Sequence, residues 1–296
     1  MQRGLDTAMT MNDKIFQDKT NYTLVFSLFI NLILLAVIYH IIYAEMFKDW
    51  MNDPNYSHGL LVPAISFYLL WRDKEQFRSI AIAPSFKGLW LFSFGIFMLL
   101  AGILSSELFT QRSSSIILLM GIVWSWFGVK WLKAAFVPLA FLFFMVPLPY
   151  ILYDAIAFPL KLLATRIATE ALQFFNIMIV SEGNIIYLQD VTLEVADACS
   201  GIRSLMSLIT LGVVVAYFFL KGRFRQILLV SLAVPIAILT NAMRVIITGF
   251  LSDRYGSAVA EGFFHEFSGL IIFATSFALL LGCSYLLSLI NKKEAA

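Results

Sequence analysis

Eight long apolar runs, separated by short polar segments, make up most of the chain and restrict what it can fold into. A helix of about 20 apolar residues crosses a hydrocarbon core of about 30 Å. With 60% hydrophobic and 14% charged residues, the composition is far from that of a soluble domain, in which about a quarter of residues are charged. We therefore predict an all-α polytopic membrane protein with eight spans, at residues 23–43, 59–71, 88–104, 114–129, 132–148, 201–220, 227–251 and 264–290.

The distribution of lysine and arginine predicts the orientation of these spans. With the N-terminus inside, 14 of the 21 basic residues fall in inner segments and five in outer ones, while Arg203 and Arg244 are intramembrane. Because basic residues accumulate in cytoplasmic loops, we expect both termini in the cytoplasm. The polar residues 1–22 form a cytoplasmic N-terminus and argue against a cleavable signal peptide. No basic stretch suits nucleic acid, so none is expected as a partner.

Residues 149–200 form an outer loop in this topology. Within it, residues 150–180 separate into two halves on a helical wheel, which predicts an interfacial amphipathic helix. The polar half holds Asp154, Lys161, Thr165, Arg166, Thr169, Glu170 and Gln173, and the apolar half holds Leu160, Leu163, Ile167, Ala171 and Phe174. The β-rich runs 184–188 and 191–195 predict a short outer β-hairpin. No repeat or linker divides the chain, so we expect residues 1–296 to form a single integral membrane domain.

Three residues suited to acyl-transfer chemistry lie near the outer ends of different predicted helices: Cys199, Arg244 and His265. Asp197 is expected to cap the helix that follows it, which leaves Cys199 in the first turn, where the helix dipole favours a thiolate. A cation as deep as Arg244 costs about 2–3 kcal/mol on insertion scales, so a functional role is the default expectation. A thiol nucleophile, a guanidinium and an imidazole base fit nucleophilic catalysis.

Each of these residues also has a less specific explanation. A lone cysteine in a membrane helix is often a small buried hydrophobe, which is our interpretation of Cys283. The arginine either snorkels to the outer headgroups or pairs with Asp253 or Glu261. An interfacial histidine is often a solvated member of an aromatic belt. The two cysteines lack the spacing of a zinc or dithiol site, so we expect neither a metal nor a cofactor.

Two polar residues accompany this set as candidate substrate contacts. Asn241 lies one turn before Arg244 on the same helix face and either orients the guanidinium or binds a substrate backbone. Arg203 lies one turn after Cys199 and either lowers the pKa of the thiol, binds substrate or pairs with Asp197.

A further pair of candidates, Tyr56 and His58, precedes the second predicted helix within residues 53–59. His58 is an alternative base or a substrate contact, and Tyr56 is assigned to the substrate side. Serine, glycine and asparagine in the same stretch are equally typical of an ordinary turn.

The chain also resembles a known family. Tyr56-Ser57-His58-Gly59, residues 198–205 around the cysteine, residues 241–245, and His265 four residues before Gly269 together resemble the exosortases, over about residues 49–269. The resemblance implies a bacterial inner-membrane cysteine protease or transpeptidase related to the archaeosortases. It also implies that Cys199 is the nucleophile, Arg244 the essential arginine and His265 the histidine of the family.

The resemblance further implies the partners. Exosortase substrates are exported proteins with a C-terminal Pro-Glu-Pro motif, one membrane helix and a basic tail, and the family is linked to exopolysaccharide production. The positive-inside rule then places the motif at the periplasmic face, surrounded by membrane lipids. Either water or an amine of a glycolipid or polysaccharide precursor resolves the acyl-enzyme.

Two other classes stay open. A quinone-linked disulfide generator needs a second outer cysteine, and Cys283 is too deep for that. A non-catalytic subunit of an exopolysaccharide export or assembly system accounts for the spans and tolerates Cys199→Ser.

Overall fold

The computed structural model describes residues 2–189, 191–195, 201–256 and 263–294, with side chains described in 26–189, 191–195, 201–256 and 267–290. The chain divides into two compact units, Met1–Pro147 and Leu148–Ala296. The single-domain organisation stays a prediction. Each unit is built mainly of helices, as the apolar runs predict.

The first unit contains six α-helices and two 3-10 turns among its described residues. In chain order they are α1 (Gln2–Asn52), a 3-10 turn (Ser57–Leu60), α2 (Val62–Arg72), α3 (Lys74–Ser79), α4 (Gly88–Leu104), α5 (Leu108–Phe127), α6 (Val129–Phe141) and a 3-10 turn (Leu142–Met145). The observed α4 has the bounds that the sequence predicts. α1 is longer than predicted at both ends.

Helix α5 contacts a different segment of the first unit at each of its two ends. Near its start, Arg112 pairs with Asp49 at the end of α1, with 2.6 Å between Nη2 and Oδ2. Near its end, the Ser125 and Phe127 carbonyls accept bonds from segment 83–85, 3.0 and 3.2 Å long. A helix of this length spans about 30 Å, so the two groups of contacts lie at opposite ends. Segments predicted to share a membrane side therefore lie together within this unit.

The second unit combines four helices with a small sheet. Its elements are α7 (Tyr150–Phe174), β1 (Ile179–Glu182), β2 (Ile185–Leu188), β3 (Thr192–Glu194), α8 (Ile202–Phe219), α9 (Arg223–Tyr255) and α10 (Phe263–Glu294). Leu208 of α8, Ala233 of α9 and Leu280 of α10 are fully buried in one apolar cluster. A second cluster joins α7 and the sheet to α9. Thus α9 packs against every other helix of the unit.

Four helices in the described residues are long and apolar enough to cross a membrane: Phe26–Asn52, Ile202–Phe219, Arg223–Tyr255 and Phe267–Ile290. A fifth is added if Val129–Met145 and Tyr150–Phe174 count as one broken span. The protein is therefore a multi-pass, mostly helical membrane protein, but the eight predicted spans are not confirmed. The runs that fall short include α2, which has 11 residues, and α5, whose second turn carries the buried side chains of Arg112 and Ser113.

Two members of the polar half predicted for α7 are buried in the structure. Thr165 and Thr169, assigned to the polar half, are 1% and 8% exposed, whereas Phe174 of the apolar half is 83% exposed. Each threonine hydroxyl donates to the carbonyl four residues earlier, at 2.8 and 2.9 Å, so neither needs water. Their short side chains allow this close packing against the protein. An interfacial location stays a prediction.

Instead of a two-stranded hairpin, the segment predicted to form an outer loop contains a three-stranded antiparallel sheet in the order β1-β2-β3. The predicted pairing of the two β-rich runs is present as β2 against β3, with Ile186 opposite Leu193. The additional strand β1 pairs Val180 with Tyr187 and was hidden by the helical pattern assigned to 150–180. Gly183, at φ +61°, occupies the turn between β1 and β2.

Candidate active site

The start of α8 carries the first group of predicted site residues. Gly201 is the N-cap residue, in the left-handed conformation at φ +78°, and the helix begins at Ile202. The prediction that Asp197 caps this helix is therefore wrong, because Gly201 holds that position. The Ser204 hydroxyl donates to the Gly201 carbonyl over 2.8 Å. Cys199 and Asp197 lie outside the described residues, so the assignment of the nucleophile stays a prediction.

Asn241 of α9 packs directly against this turn. Its side chain is buried, with 4% exposed. A β-carbon at Gly201 would lie only 2.9 Å from Asn241 Cγ and 3.0 Å from its Nδ2. Position 201 therefore requires glycine for two reasons: the positive φ, and the close approach of α8 to α9. The contact places Asn241 beside the chain that leads from Cys199 into α8.

Arg244 lies one turn further along α9 and is also buried, with 9% exposed. Its Nε donates to the Ser268 hydroxyl of α10 over 3.3 Å. A β-carbon at the neighbouring Gly269 would make ordinary contact with Arg244 Nη2 at 3.5 Å. The residue lies about 16 Å from the end of α9 at Tyr255, at about 1.5 Å rise per residue. Arg244 is therefore an internal cation rather than one that snorkels to the headgroups.

Two acidic residues, Asp253 and Glu261, are the alternative partners predicted for Arg244. Asp253 is exposed on the last turns of α9. Glu261 lies outside the described residues. Among the described contacts, the guanidinium Nε donates to a neutral hydroxyl on the neighbouring helix, that of Ser268.

His265 belongs to the first turn of α10, which begins at Phe263. Its side chain lies outside the described residues. Ser268, three residues later, lies on the same helix face and contacts Arg244. Helix α9 therefore joins two chain segments: the one that follows Cys199, through Asn241, and the one that follows His265, through Arg244.

The remaining polar candidates differ in their surroundings. Arg203 lies in the first turn of α8 and is exposed. A small cavity of about 10 Å³ beside Gly201 and Asn241 has room for about one water molecule. In the part of the chain that the structure describes, no group of three His, Cys, Asp or Glu residues is placed to hold a metal ion.

Tyr56 and His58 belong to the first unit. Tyr56 is half-buried just before the 3-10 turn that contains His58. Burial lowers the pKa of His58, against hydrogen bonds to the backbone of Phe144 and Asn55 that raise it. The lowered pKa favours the neutral imidazole at pH 7, the form that accepts a proton. Gly59 packs so closely against the Trp50 indole that a β-carbon at this position would overlap the ring.

Sequence reasoning missed two features. Ser268 was not singled out, although its spacing of one turn from His265 is a usable signal for a shared helix face. The ion pair between Arg112 and Asp49 was also missed, because Arg112 was counted only as a loop charge. Its side chain is 3% exposed, so this charge is internal to the first unit. By contrast, Cys283 packs against the α8–α10 cluster, in agreement with its interpretation as a small hydrophobe.

The protein is thus a multi-pass membrane protein in which the buried Arg244 forms a polar contact between two helices, α9 and α10. Residues 50–282 match the family model described as transmembrane exosortase. The match covers well over half of the chain, so the protein belongs to the transmembrane exosortase family, and the resemblance seen in the motifs is confirmed. No curated protein and no solved structure matches the chain.

Proposed function

We propose that this protein is a membrane-embedded cysteine protease or transpeptidase that cleaves the C-terminal Pro-Glu-Pro sorting signal of exported proteins. The observation that carries the proposal is the buried Arg244 on a helix face that contacts Gly201 and Ser268. These contacts tie the site to the segments flanking Cys199 and His265. Membership of the exosortase family is consistent with a membrane transpeptidase. A link to exopolysaccharide production belongs to the same proposal.

The proposed reaction is an acyl transfer through a thioester. The imidazole of His265 takes the proton of the Cys199 thiol, and the thiolate attacks the scissile carbonyl carbon. Arg244 stabilises the resulting oxyanion. Collapse of the intermediate breaks the C–N bond, and the imidazolium gives its proton to the leaving amine. Water or an amine acceptor then attacks the thioester, which releases the product and restores the thiol.

Asn241, Arg203, Tyr56 and His58 are proposed to contact the substrate. Asn241 has the best-supported role, because its amide lies on the same face of α9 as Arg244 and is buried. An asparagine amide offers both donors and an acceptor, the groups that a peptide backbone needs. We place the site at the periplasmic face of the bacterial inner membrane, with both termini in the cytoplasm.

The test of the enzymatic proposal is processing of a substrate protein with a Pro-Glu-Pro signal, followed by immunoblot in cells that carry single variants. Cys199→Ala and Cys199→Ser are expected to abolish cleavage while the protein remains inserted in the membrane. Cys283→Ala is the matched control, because this cysteine packs in the apolar cluster, and it is expected to cleave normally. Wild-type cleavage by Cys199→Ser would instead favour a non-catalytic subunit.

The orientation is tested independently of activity. A membrane-impermeant maleimide added to intact spheroplasts is expected to label Cys199 and to leave Cys283 unlabelled. A reporter fused after Arg225, in the first turn of α9, is expected to report the cytoplasm. An outside signal from that fusion would invert α8 to α10 and contradict the periplasmic placement.

A further inference from the structure

We infer that the open edge of β3 binds the extended sorting signal of the substrate as a fourth strand of the sheet. The inference rests on the proposed function, because it concerns how the same substrate is held. Strand addition at a sheet edge is a common way to bind an extended peptide, with main-chain hydrogen bonds providing affinity.

The register of the sheet determines which groups face outward. Leu188 N–H donates to the Val191 carbonyl and Val195 N–H donates to the Asn184 carbonyl, both over 2.8 Å. Hydrogen-bonded pairs alternate in an antiparallel ladder, so the backbone groups of Leu193 also turn toward β2. The N–H and C=O groups of Thr192 and Glu194 consequently point away from the sheet.

This edge is open in the described structure. β3 is the terminal strand of the sheet, and both Thr192 and Glu194 are exposed. Within the described ranges, no second strand pairs with β3. The opposite edge differs, because the Gln173 amide donates to the Ile179 carbonyl of β1 over 3.2 Å. Proteins usually protect open strand edges, so an unprotected one next to a buried face suggests a partner.

The proposed substrate chemistry suits such an edge. In a Pro-x-Pro segment, the two prolines lack N–H groups and share one strand parity, while the central residue keeps both its N–H and its C=O. Proline is tolerated in a sheet where its nitrogen faces away from the neighbouring strand. The central glutamate of the motif then pairs with Thr192, since pairing it with Glu194 would bring like charges together.

The position of β3 along the chain supports the same occupant. β3 is the last described strand before Cys199, and the face opposite to Thr192 and Glu194 is anchored by the buried Leu193 and Val195. A peptide added to this edge is therefore held by the segment that leads to the proposed nucleophile. Neither apolar contact nor net charge is needed for the pairing, because the backbone supplies it.

The experiment measures binding separately from cleavage. A fluorescent peptide with the Pro-Glu-Pro motif, a membrane helix and a basic tail is titrated against full-length Cys199→Ala protein in detergent. In a second peptide, an ester replaces the backbone amide between the first proline and the glutamate of the motif. This change removes the backbone N–H of the glutamate. We expect the ester to raise Kd about 3- to 10-fold, the usual range for one hydrogen bond.

Protein variants probe the other side of the same contact. Thr192→Pro removes an outward N–H without removing a bond of the β2–β3 ladder, and it is expected to raise Kd for the amide peptide by a similar factor. Thr192→Val keeps the N–H and is expected to bind normally. The ester removes the glutamate N–H that donates to the Thr192 carbonyl, and Thr192→Pro removes the Thr192 N–H that donates to the glutamate carbonyl. The two changes therefore test the two hydrogen bonds of one proposed pair.

Equal Kd values for the ester and amide peptides, or a folded Thr192→Pro protein that binds the amide peptide normally, would overturn strand addition. The ester result holds even if Thr192→Pro fails to fold, because it uses the unaltered edge. Cleavage by the protein that retains Cys199 is measured in parallel. Normal strand binding without cleavage would contradict the proposed function alone, and cleavage with no ester effect on Kd would contradict this inference alone.

Discussion

Replacing Gly201 by alanine tests whether the close approach of α8 to α9 positions Asn241. The residue has φ +78°, and a β-carbon there would lie 2.9 Å from Asn241 Cγ. The left-handed conformation costs an L-residue about 1–2 kcal/mol. Overpacking of a filled site adds about 1–3 kcal/mol. We therefore expect Gly201→Ala to lower the free energy of unfolding by about 2–5 kcal/mol.

The chain offers a matched control in Gly183. It has φ +61°, but nothing lies within 4 Å of a β-carbon built there. Gly183→Ala therefore includes only the conformational cost of about 1–2 kcal/mol. The gain from a less flexible unfolded chain is the same for both alanine variants and cancels in the comparison. The difference between the two variants isolates the packing against Asn241.

The assay is reversible unfolding in mixed detergent micelles, followed by tryptophan fluorescence, with substrate processing measured on the same preparations. Gly201→Ala should also process substrate more slowly than Gly183→Ala, because displacing Asn241 disturbs the helix face that carries Arg244. Adding Asn241→Ala to Gly201→Ala should recover about 1–3 kcal/mol, the packing cost. Equal losses for the two glycine variants, with no recovery in the double variant, would refute the reasoning.

Three other changes give distinct results. Asp49→Leu leaves the buried Arg112 uncompensated and should cost about 2–4 kcal/mol of unfolding free energy, whereas Asp49→Leu/Arg112→Leu should cost clearly less. His265→Ala should regain substrate processing as the pH approaches the pKa of the thiol, about 8.5, whereas Arg244→Ala should stay inactive at every pH. If neither variant processes substrate at any pH, His265 is not the base. Burial raises the pKa of Glu107, but two N–H groups at the start of α5 donate to its carboxylate and lower the pKa overall. The stabilisation by Glu107 should therefore be present above about pH 4.3 and lost as the pH falls through the lower pKa of the folded state. Glu107→Gln should cost about 1 kcal/mol of unfolding free energy at neutral pH and flatten the pH dependence of unfolding in that window.

The sequence was sufficient for the class of protein and for most helices. Apolar runs report burial in lipid or protein directly, and so α4, α8 and α10 appear close to their predicted bounds. The family was also recognisable from the motifs, because residue types at fixed spacing are a property of the chain itself. Arg244 could be singled out for the same reason, since a cation within an apolar run is conspicuous without coordinates.

Errors arose where two structures share one local pattern. The burial of Thr165 in α7 was not predicted, because a threonine can satisfy its hydroxyl within its own helix and then pack like a small apolar residue. β1 was missed because a short strand directly after a helix prolongs the apolar pattern. The N-cap of α8 was misplaced because an aspartate is the commoner cap, whereas the glycine is selected by its contact with α9.

Only the tertiary structure decided which residues surround Arg244. Its partner Ser268, and the fit of Asn241 against Gly201, join positions on different helices, and no local pattern encodes the distance between them. The same is true of Asp49 and Arg112, whose pairing depends on how α1 packs against α5. Composition and periodicity determine that helices form and what they bury. The meeting of particular side chains depends on the packing of the whole unit, since each contact requires several helices to be in place at once.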